Sequence, residues 1–311
     1  MRSASTCDDL LAPGLLSALE RGYLQFDSAL KFMTISNQSP VAPDALQKPA
    51  HDAGQLQRRR AALGFSAVGV MSSRSVMLPE LAEVLHFVPQ VANAAAYRHA
   101  VVQDNVLHKA SASNRDKTYD YLHRLYALDP SVAIFREMRR LIGLFPTDLI
   151  ALASLLALAR EPLLRACADM VLSLAVGQKL GREQFESWVR EVAPGRYSQA
   201  MYRSFSHNLY ASFFQMGYLG DAVAKCRLRR RPDVGPAATA YAAFLDWLNG
   251  ANGISILQAT HSRTLELPRD DHLRLLSTAG QLGLMSVAHA GGVLHLDFSP
   301  WLQPGEARLT Q

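Results

Sequence analysis

The chain has 311 residues, of which 49% are hydrophobic and 19% are charged, and its formal net charge is +5. A chain of this length and composition can bury a substantial core and can divide into two or three domains. Its three cysteines are far apart and lack paired metal-ligand spacing, which argues against a disulfide framework or a zinc knuckle and favours a reducing cytoplasm.

The first 63 residues differ in composition from the rest of the chain. One amphipathic helix is predicted near the start, and residues 36–60 are polar, contain prolines and are poor in β-branched or aromatic residues. We therefore predict that residues 1–63 form an N-terminal extension and linker. Asp8 and Asp9 lie where a secretory signal peptide would carry positive charge, so we expect a cytoplasmic protein.

From Gly64 onwards the hydrophobic pattern predicts mainly helices. Pro79 lies in the first turn of a helix whose apolar residues recur at the spacing of a core-facing stripe. Pro146 and Pro162 mark breaks between the helices that follow. The apolar segment 149–159 is only about half as long as a membrane-crossing helix, so we predict a buried core helix and no membrane span.

The next region, residues 178–234, reads as a helix, a turn, a second helix and then a basic segment. In the second helix one apolar stripe is predicted to be buried, while other residues are predicted to lie on the remaining faces. The predicted stripe is Met201, Phe205, Leu209 and Phe213, and the other faces carry Arg203, His207 and Ser206.

The last region, residues 235–311, reads as three helices followed by a change of period. Apolar and polar residues alternate on both sides of Gly291 and Gly292, which is typical of a β-hairpin. Helices closed by a hairpin are the layout of a winged helix, a module that binds DNA and also docks proteins. The layout alone therefore does not decide between these two functions.

Together these features predict a mainly α fold. We expect a helical bundle with helix-turn-helix or winged-helix-like modules and a short C-terminal β-hairpin. The predicted division is an extension over 1–63, a helical domain with a helix-turn-helix-like segment over 64–177, a winged-helix-like module with the basic segment over 178–234, and a second winged-helix-like module over 235–311.

Positive charge is concentrated in one part of the chain. Between Arg196 and Arg231 there are seven basic residues and one acidic residue, and seven minus one leaves +6 on an otherwise nearly neutral background. Five of the seven lie in KCRLRRRP, residues 225–232. A phosphate backbone would offset the repulsion among such charges, although a flexible basic loop without a partner has the same composition.

The sequence lacks the common catalytic and cofactor motifs. It contains no Gly-rich phosphate loop, dinucleotide fingerprint, Gly-x-Ser-x-Gly elbow or His-Glu-x-x-His. His289 and His295 flank the predicted hairpin turn, but Asp297 is the only further metal ligand nearby. We therefore predict that the protein is not an enzyme and that it holds neither a metal nor another cofactor.

A second group of basic residues lies at the predicted start of a helix. Lys109, Arg115 and Lys117 stand among serines and an asparagine, a mixture that can hydrogen-bond phosphate oxygens. The same stretch is also typical of a capped helix start, with Ser113 or Asn114 as the N-cap. Phosphate binding and capping are compatible, so both interpretations stay open.

The segment YRHAVVQDNVLHKASASNRDKTYDYLHRLYAL, residues 97–128, resembles the BrxA-like family of bacteriophage-exclusion (BREX) defence systems. Members of that family carry an Asn-Leu-Leu-like helix end and then a Lys-x-Ser-Ala-Ser-Thr-Arg-like turn before a helix rich in leucine and arginine. The matching residues here are Asn105, Val106, Leu107, Lys109, Ser111, Ala112, Ser113 and Arg115, with Asn114 where the family has threonine.

The resemblance implies a non-enzymatic, DNA-binding component of a BREX-type anti-phage defence system. It would act beside other subunits such as a methyltransferase and would bind double-stranded DNA mainly through the phosphate backbone, with weak sequence preference. The alternative is a scaffold that docks other defence subunits through its winged-helix modules. The predicted DNA-binding residues are Lys109, Arg115, Lys117, Arg203, Lys225, Arg227, Arg229, Arg230 and Arg231.

Overall fold

The computed structural model describes residues 57–66, 74–195 and 197–309. These residues belong to one compact unit, Gly54–Gln311. The fold is mainly α with a short β-hairpin near the C-terminus, which confirms the predicted fold class. Among the described residues, no helix is both long enough and apolar enough to cross a membrane.

The first helices form because their ends carry the expected signals. Pro79 occupies the first turn of α1, and the Asn93 side chain accepts a hydrogen bond from the Ala96 amide at the start of α2. The start of α3 is capped by Ser111, whose hydroxyl accepts a hydrogen bond from the Asn114 amide, and neither predicted residue is the N-cap. The helices are α1 (Leu78–Phe87), α2 (Ala94–Val102) and α3 (Ala112–Tyr126).

The most apolar helix, α5, lies at the centre of the bundle. Every residue from Ala151 to Ala159 is buried, which confirms the predicted core helix. Pro162 ends it, since proline cannot continue the hydrogen-bond ladder and fits the first turn of the next helix. The helices of this region are α4 (Ala133–Leu144), α5 (Leu149–Arg160) and α6 (Pro162–Ser173).

The middle region combines two helices with a three-stranded antiparallel sheet. A short strand, β1, precedes the helices and pairs with β3, so that the strand order is β1-β3-β2. The sheet thus closes the helix pair with a hairpin and ties the start of the region to its end. The elements are β1 (Lys179–Gly181), α7 (Arg182–Val192), α8 (Gln199–Gln215), β2 (Leu219–Val223) and β3 (Cys226–Arg229).

The C-terminal region repeats the order of helices followed by a hairpin. Gly291 and Gly292 form the turn with positive φ at both positions, as the sequence predicts. Two 3-10 segments, Gly253–Gln258 and Ser262–Leu265, separate its main helices. The helices and strands are α9 (Pro236–Leu248), α10 (Arg269–Gln281), β4 (Ser286–Ala290), β5 (Val293–Asp297) and α11 (Pro304–Ala307).

One hydrophobic core runs through all of these regions, across the predicted boundaries at 177/178 and 234/235. The Tyr241 hydroxyl on α9 donates to the Ile134 carbonyl at 2.8 Å, and the Tyr218 hydroxyl donates to the Thr264 carbonyl at 2.9 Å. The middle and C-terminal regions therefore share buried contacts instead of being joined only by a linker.

The structure differs from the predicted N-terminal extension over 1–63 at the C-terminal end of that segment. Residues 57–63 are helical, and Leu63 is buried in the core. Arg59 donates to the Leu309 carbonyl and Arg160 donates to the Gly64 carbonyl, so this segment belongs to the folded unit. The remainder of the predicted extension, residues 1–56, lies outside the described residues.

Candidate nucleic-acid interface

The basic run forms the second strand of a hairpin. Val223 pairs with Cys226, which leaves Ala224 and Lys225 as a two-residue turn in which both φ angles are positive, at 50° and 67°. Such a turn matches the twist of the strands, although it usually contains asparagine and glycine. The turn places the Lys225 side chain at the exposed tip.

Two arginines of the run, Arg227 and Arg229, lie within β3 and on the same face of it, because successive side chains point to opposite sides of a sheet. Arg227 lies on the face that packs against α8, where it is half-buried. Its guanidinium lies 3.7 Å from the centre of the Phe214 ring and donates to the Gly220 carbonyl at 2.8 Å. Arg227 is therefore largely occupied by internal contacts.

Arg229, on the same face, is fully buried, whereas the sequence predicted a phosphate contact for it. It forms an ion pair with Glu266 and donates to the Val171 carbonyl at 2.8 Å. A guanidinium enclosed in this way cannot reach a phosphate unless the fold opens. Arg229 anchors the hairpin to its neighbours, and that role was missed because Glu266 lies far along the chain.

Arg230 and Arg231 complete the run and are both exposed. The Arg230 guanidinium lies close against the Gly220 backbone. A Cβ atom at position 220 would be only 2.5 Å from the Arg230 Nε atom. No ion pair of the described residues involves either arginine. These two side chains and Lys225 are the members of the run that remain available to a ligand.

Helix α8 presents Arg203 and His207 to solvent, as predicted, but its buried stripe differs from the prediction. Met201 is 41% exposed, whereas Ser206 is buried and donates to the Tyr202 carbonyl at 2.6 Å. The buried stripe includes Tyr202 instead of Met201, so it begins one residue later than predicted. Phe205, Leu209 and Phe213 are buried as expected.

Two further basic residues, Lys179 and Arg182, lie beside this hairpin and are exposed. Lys179 pairs with Leu228 across the sheet, and Arg182 begins α7. The Arg227 guanidinium lies 5.8 Å from the centre of the Tyr210 ring. Burial raises the pKa of the Tyr210 hydroxyl, and the charges of Arg227 and Arg182 act in the opposite direction. The sequence contained the basic residues, but only the pairing of β1 with β3 brings them to the run.

The second predicted patch carries less free charge. Lys109 forms an ion pair with Glu80 at 3.3 Å, and the Nε atom of Arg115 is buried. Lys117 is exposed, but the neighbouring Asp116 pairs with Arg98. Lys117 is therefore the one residue of the three that is both exposed and without an acidic partner among the described residues, and we regard this patch as the weaker candidate.

Among the buried polar groups, the Asp246 carboxylate has several close partners. Asp246 accepts hydrogen bonds from the backbone amides of His261 and Ser262 and contacts the His261 ring nitrogen Nδ1 at 2.8 Å. This carboxylate thereby stabilises the start of the 3-10 segment that follows. No group of three or more histidine, cysteine or acidic side chains in the described ranges could hold a metal ion.

The two histidines of the C-terminal hairpin do not meet. His289 pairs with Leu294, and His295 pairs with Ala288. Because Leu294 and His295 are adjacent in one strand, the two histidines lie on opposite faces of the hairpin.

Exposed basic groups with no acidic partner thus mark the middle region as the candidate interface. No protein-family model matches the chain, and no curated protein matches it either.

Proposed function

We propose that this protein is a non-enzymatic, DNA-binding component of a BREX-type anti-phage defence system and that it binds duplex DNA mainly through the phosphate backbone. The observation that carries the proposal is a cationic surface, defined as the exposed basic side chains of the middle region that have no acidic partner among the described residues. Its members are Lys179, Arg182, Arg203, Lys225, Arg230 and Arg231.

The cationic surface fits a polyanion for an electrostatic reason. Like charges held close together repel one another, and no described ion pair relieves that repulsion here. A phosphate backbone would neutralise several of these charges at once and release condensed counterions. In the proposed complex the β2–β3 hairpin and α8 face the duplex, and the region acts as a winged-helix module.

The defence context of the proposal rests on the resemblance of residues 97–128 to the BrxA-like family. In that context the protein acts in the cytoplasm beside other subunits, such as a methyltransferase. Co-expression with the other subunits of a BREX system, followed by affinity purification, tests this part, and a stable complex with the methyltransferase is the expected result.

Fluorescence anisotropy with a labelled random-sequence duplex tests DNA binding. The informative variant replaces Lys225, Arg230 and Arg231 by alanine, leaving the buried Arg229 intact so that the fold is preserved. The matched control removes three exposed arginines of the C-terminal region, Arg269, Arg274 and Arg308.

We expect the wild-type affinity to fall steeply with salt, with a slope of about −0.9 per neutralised phosphate. If each of the three side chains of the hairpin variant neutralises one phosphate, its slope is shallower by about 2.7. The control changes the net charge by the same amount, but its three residues lie outside the cationic surface, so it should keep the wild-type slope. Equal binding by the hairpin variant and the wild type would contradict the proposal.

A second candidate function, protein docking, is favoured by the surface of the C-terminal region. Val293 beside its hairpin turn is 70% exposed, Leu282 is 51% exposed, and the β4–β5 hairpin carries no lysine or arginine. Such a neutral surface suits a protein partner better than a phosphate backbone. A stable complex with another defence subunit and no shift of bare duplex would favour this function.

A further inference from the structure

Helix α8 is held in one orientation by contacts at its C-terminal end. The Val76 amide donates to the Ser212 hydroxyl at 3.0 Å, and the Leu78 amide donates to the Gln215 side chain at 3.1 Å. These bonds come from the segment that leads into α1, and the apolar side of α8 packs into the core. The helix therefore cannot rotate about its axis without losing them, which fixes the residues that face solvent.

The exposed face of α8 contains Arg203 and His207, which are four residues apart and lie one turn above the other. Phe214 lies seven residues after His207 on the same side, and the Arg227 guanidinium covers its ring at 3.7 Å. The C-terminal part of this face is thus closed by the hairpin, while the part that carries Arg203 and His207 is open.

Arg203 differs from its neighbours because its side chain has no internal role. Arg190 stacks over the Tyr202 ring and donates to Gln199 at 2.7 Å, so the residues around the start of α8 are tied to each other. No hydrogen bond or ion pair among the described residues involves Arg203. Its planar guanidinium is free to donate two parallel hydrogen bonds to an external acceptor.

The chemistry of that acceptor follows from where α8 would lie. When a helix of this kind enters the major groove, residues on its outer face reach base edges, while flanking elements contact the backbone. Here the flanking elements are the start of α7 and the β2–β3 hairpin, both of which carry cationic residues. An arginine on the helix face finds its best bidentate partner in guanine, which presents the O6 and N7 acceptors.

We propose that Arg203 is a specificity-determining residue that reads guanine in the major groove, an inference that rests on the proposed function. Phosphate contacts supply most of the affinity, and Arg203 adds a preference for sites with guanine at one fixed position. The preference expected from one bidentate contact is about tenfold in affinity against another base.

The test begins with selection of bound sequences from a randomised duplex library by the full chain. We expect a motif with one invariant guanine. Competition anisotropy then compares the selected duplex with one in which adenine replaces that guanine, for the wild type, for Arg203→Lys and for the control Arg269→Lys, which changes an exposed arginine outside the cationic surface. Lysine keeps the charge but loses the bidentate geometry, and far-ultraviolet circular dichroism confirms that each variant is folded.

We expect Arg203→Lys to reduce the discrimination from about tenfold to less than about twofold, while its affinity for the adenine duplex changes by less than about twofold. Arg269→Lys should keep the full discrimination. A wild type that binds duplex without enriching any motif would overturn this inference and leave the proposed function intact, as would an Arg203→Lys variant that still discriminates. A wild type that binds no duplex would overturn both.

Discussion

Replacement of Arg229 by alanine tests whether the basic run anchors the hairpin through a buried ion pair. The Arg229 guanidinium is wholly inaccessible, and it donates to the Val171 carbonyl at 2.8 Å besides pairing with Glu266. Its removal leaves the Glu266 carboxylate, which is 17% exposed, without its cation. Breaking such a pair costs about 3–5 kcal/mol, so we expect the free energy of unfolding to fall by that amount.

Urea unfolding followed by circular dichroism measures this change. Replacing both partners by apolar residues, in Arg229→Met with Glu266→Leu, should be less damaging than Arg229→Ala, because no charge is then left buried alone. The exposed neighbour provides the surface control, since Arg230→Ala should change the unfolding free energy by no more than about 0.5 kcal/mol.

Two results would refute this reasoning. One is an Arg229→Ala variant whose stability lies within about 1 kcal/mol of the wild type, which would mean that the pair is not enclosed. The other is an Arg229→Ala variant with unchanged stability and weakened DNA binding, which would mean that Arg229 contacts phosphate.

Three further predictions concern stability. The Asp148 carboxylate accepts a hydrogen bond from the Ala238 amide at the start of α9, so Asp148→Ala should cost about 1 kcal/mol in urea unfolding, and an unchanged midpoint would contradict this capping role. Burial lowers the pKa of His272 to about 4, with nearby Asp246 acting in the opposite direction, whereas an unfolded histidine titrates near about 6.5. The unfolded state therefore binds the proton first as the pH falls, and stability should drop by up to about 3 kcal/mol between about pH 6.5 and pH 4. This loss should be absent in His272→Gln, and an equal loss in that variant would assign it to other groups. Ala224 has a positive φ, so Ala224→Gly should raise the melting temperature, and a lower one would mean that the turn is not strained.

Local signals predicted most of the helices and one of the two hairpins. Pro79, Pro162 and the apolar periods place helix starts and core faces correctly, because these signals act within a few residues. Gly291 and Gly292 predicted the turn of the C-terminal hairpin for the same reason. The β2–β3 turn consists of Ala224 and Lys225, which are not typical turn residues, and the sequence therefore predicted only a basic segment there.

The roles of the basic residues could be predicted only in part. Counting charges located the cluster, but packing against α8 and a distant acidic residue decide which side chains are free. Arg229 is buried because Glu266 lies opposite it, and Lys179 joins the surface because β1 pairs with β3. Both facts depend on long-range contacts, which neither composition nor periodicity contains.

The basic run thus combines anchoring and exposed positions in adjacent residues, and this affects how its variants are interpreted. Arg229 fixes the end of β3 against the C-terminal region, while Arg230 and Arg231 continue from it into solvent. A variant that replaces every arginine of the run would lose both the anchor and the exposed charge, so a loss of DNA binding could arise from unfolding alone. Only variants that spare Arg229 separate the two causes, because the exposed side chains contribute little to stability and most of the positive field.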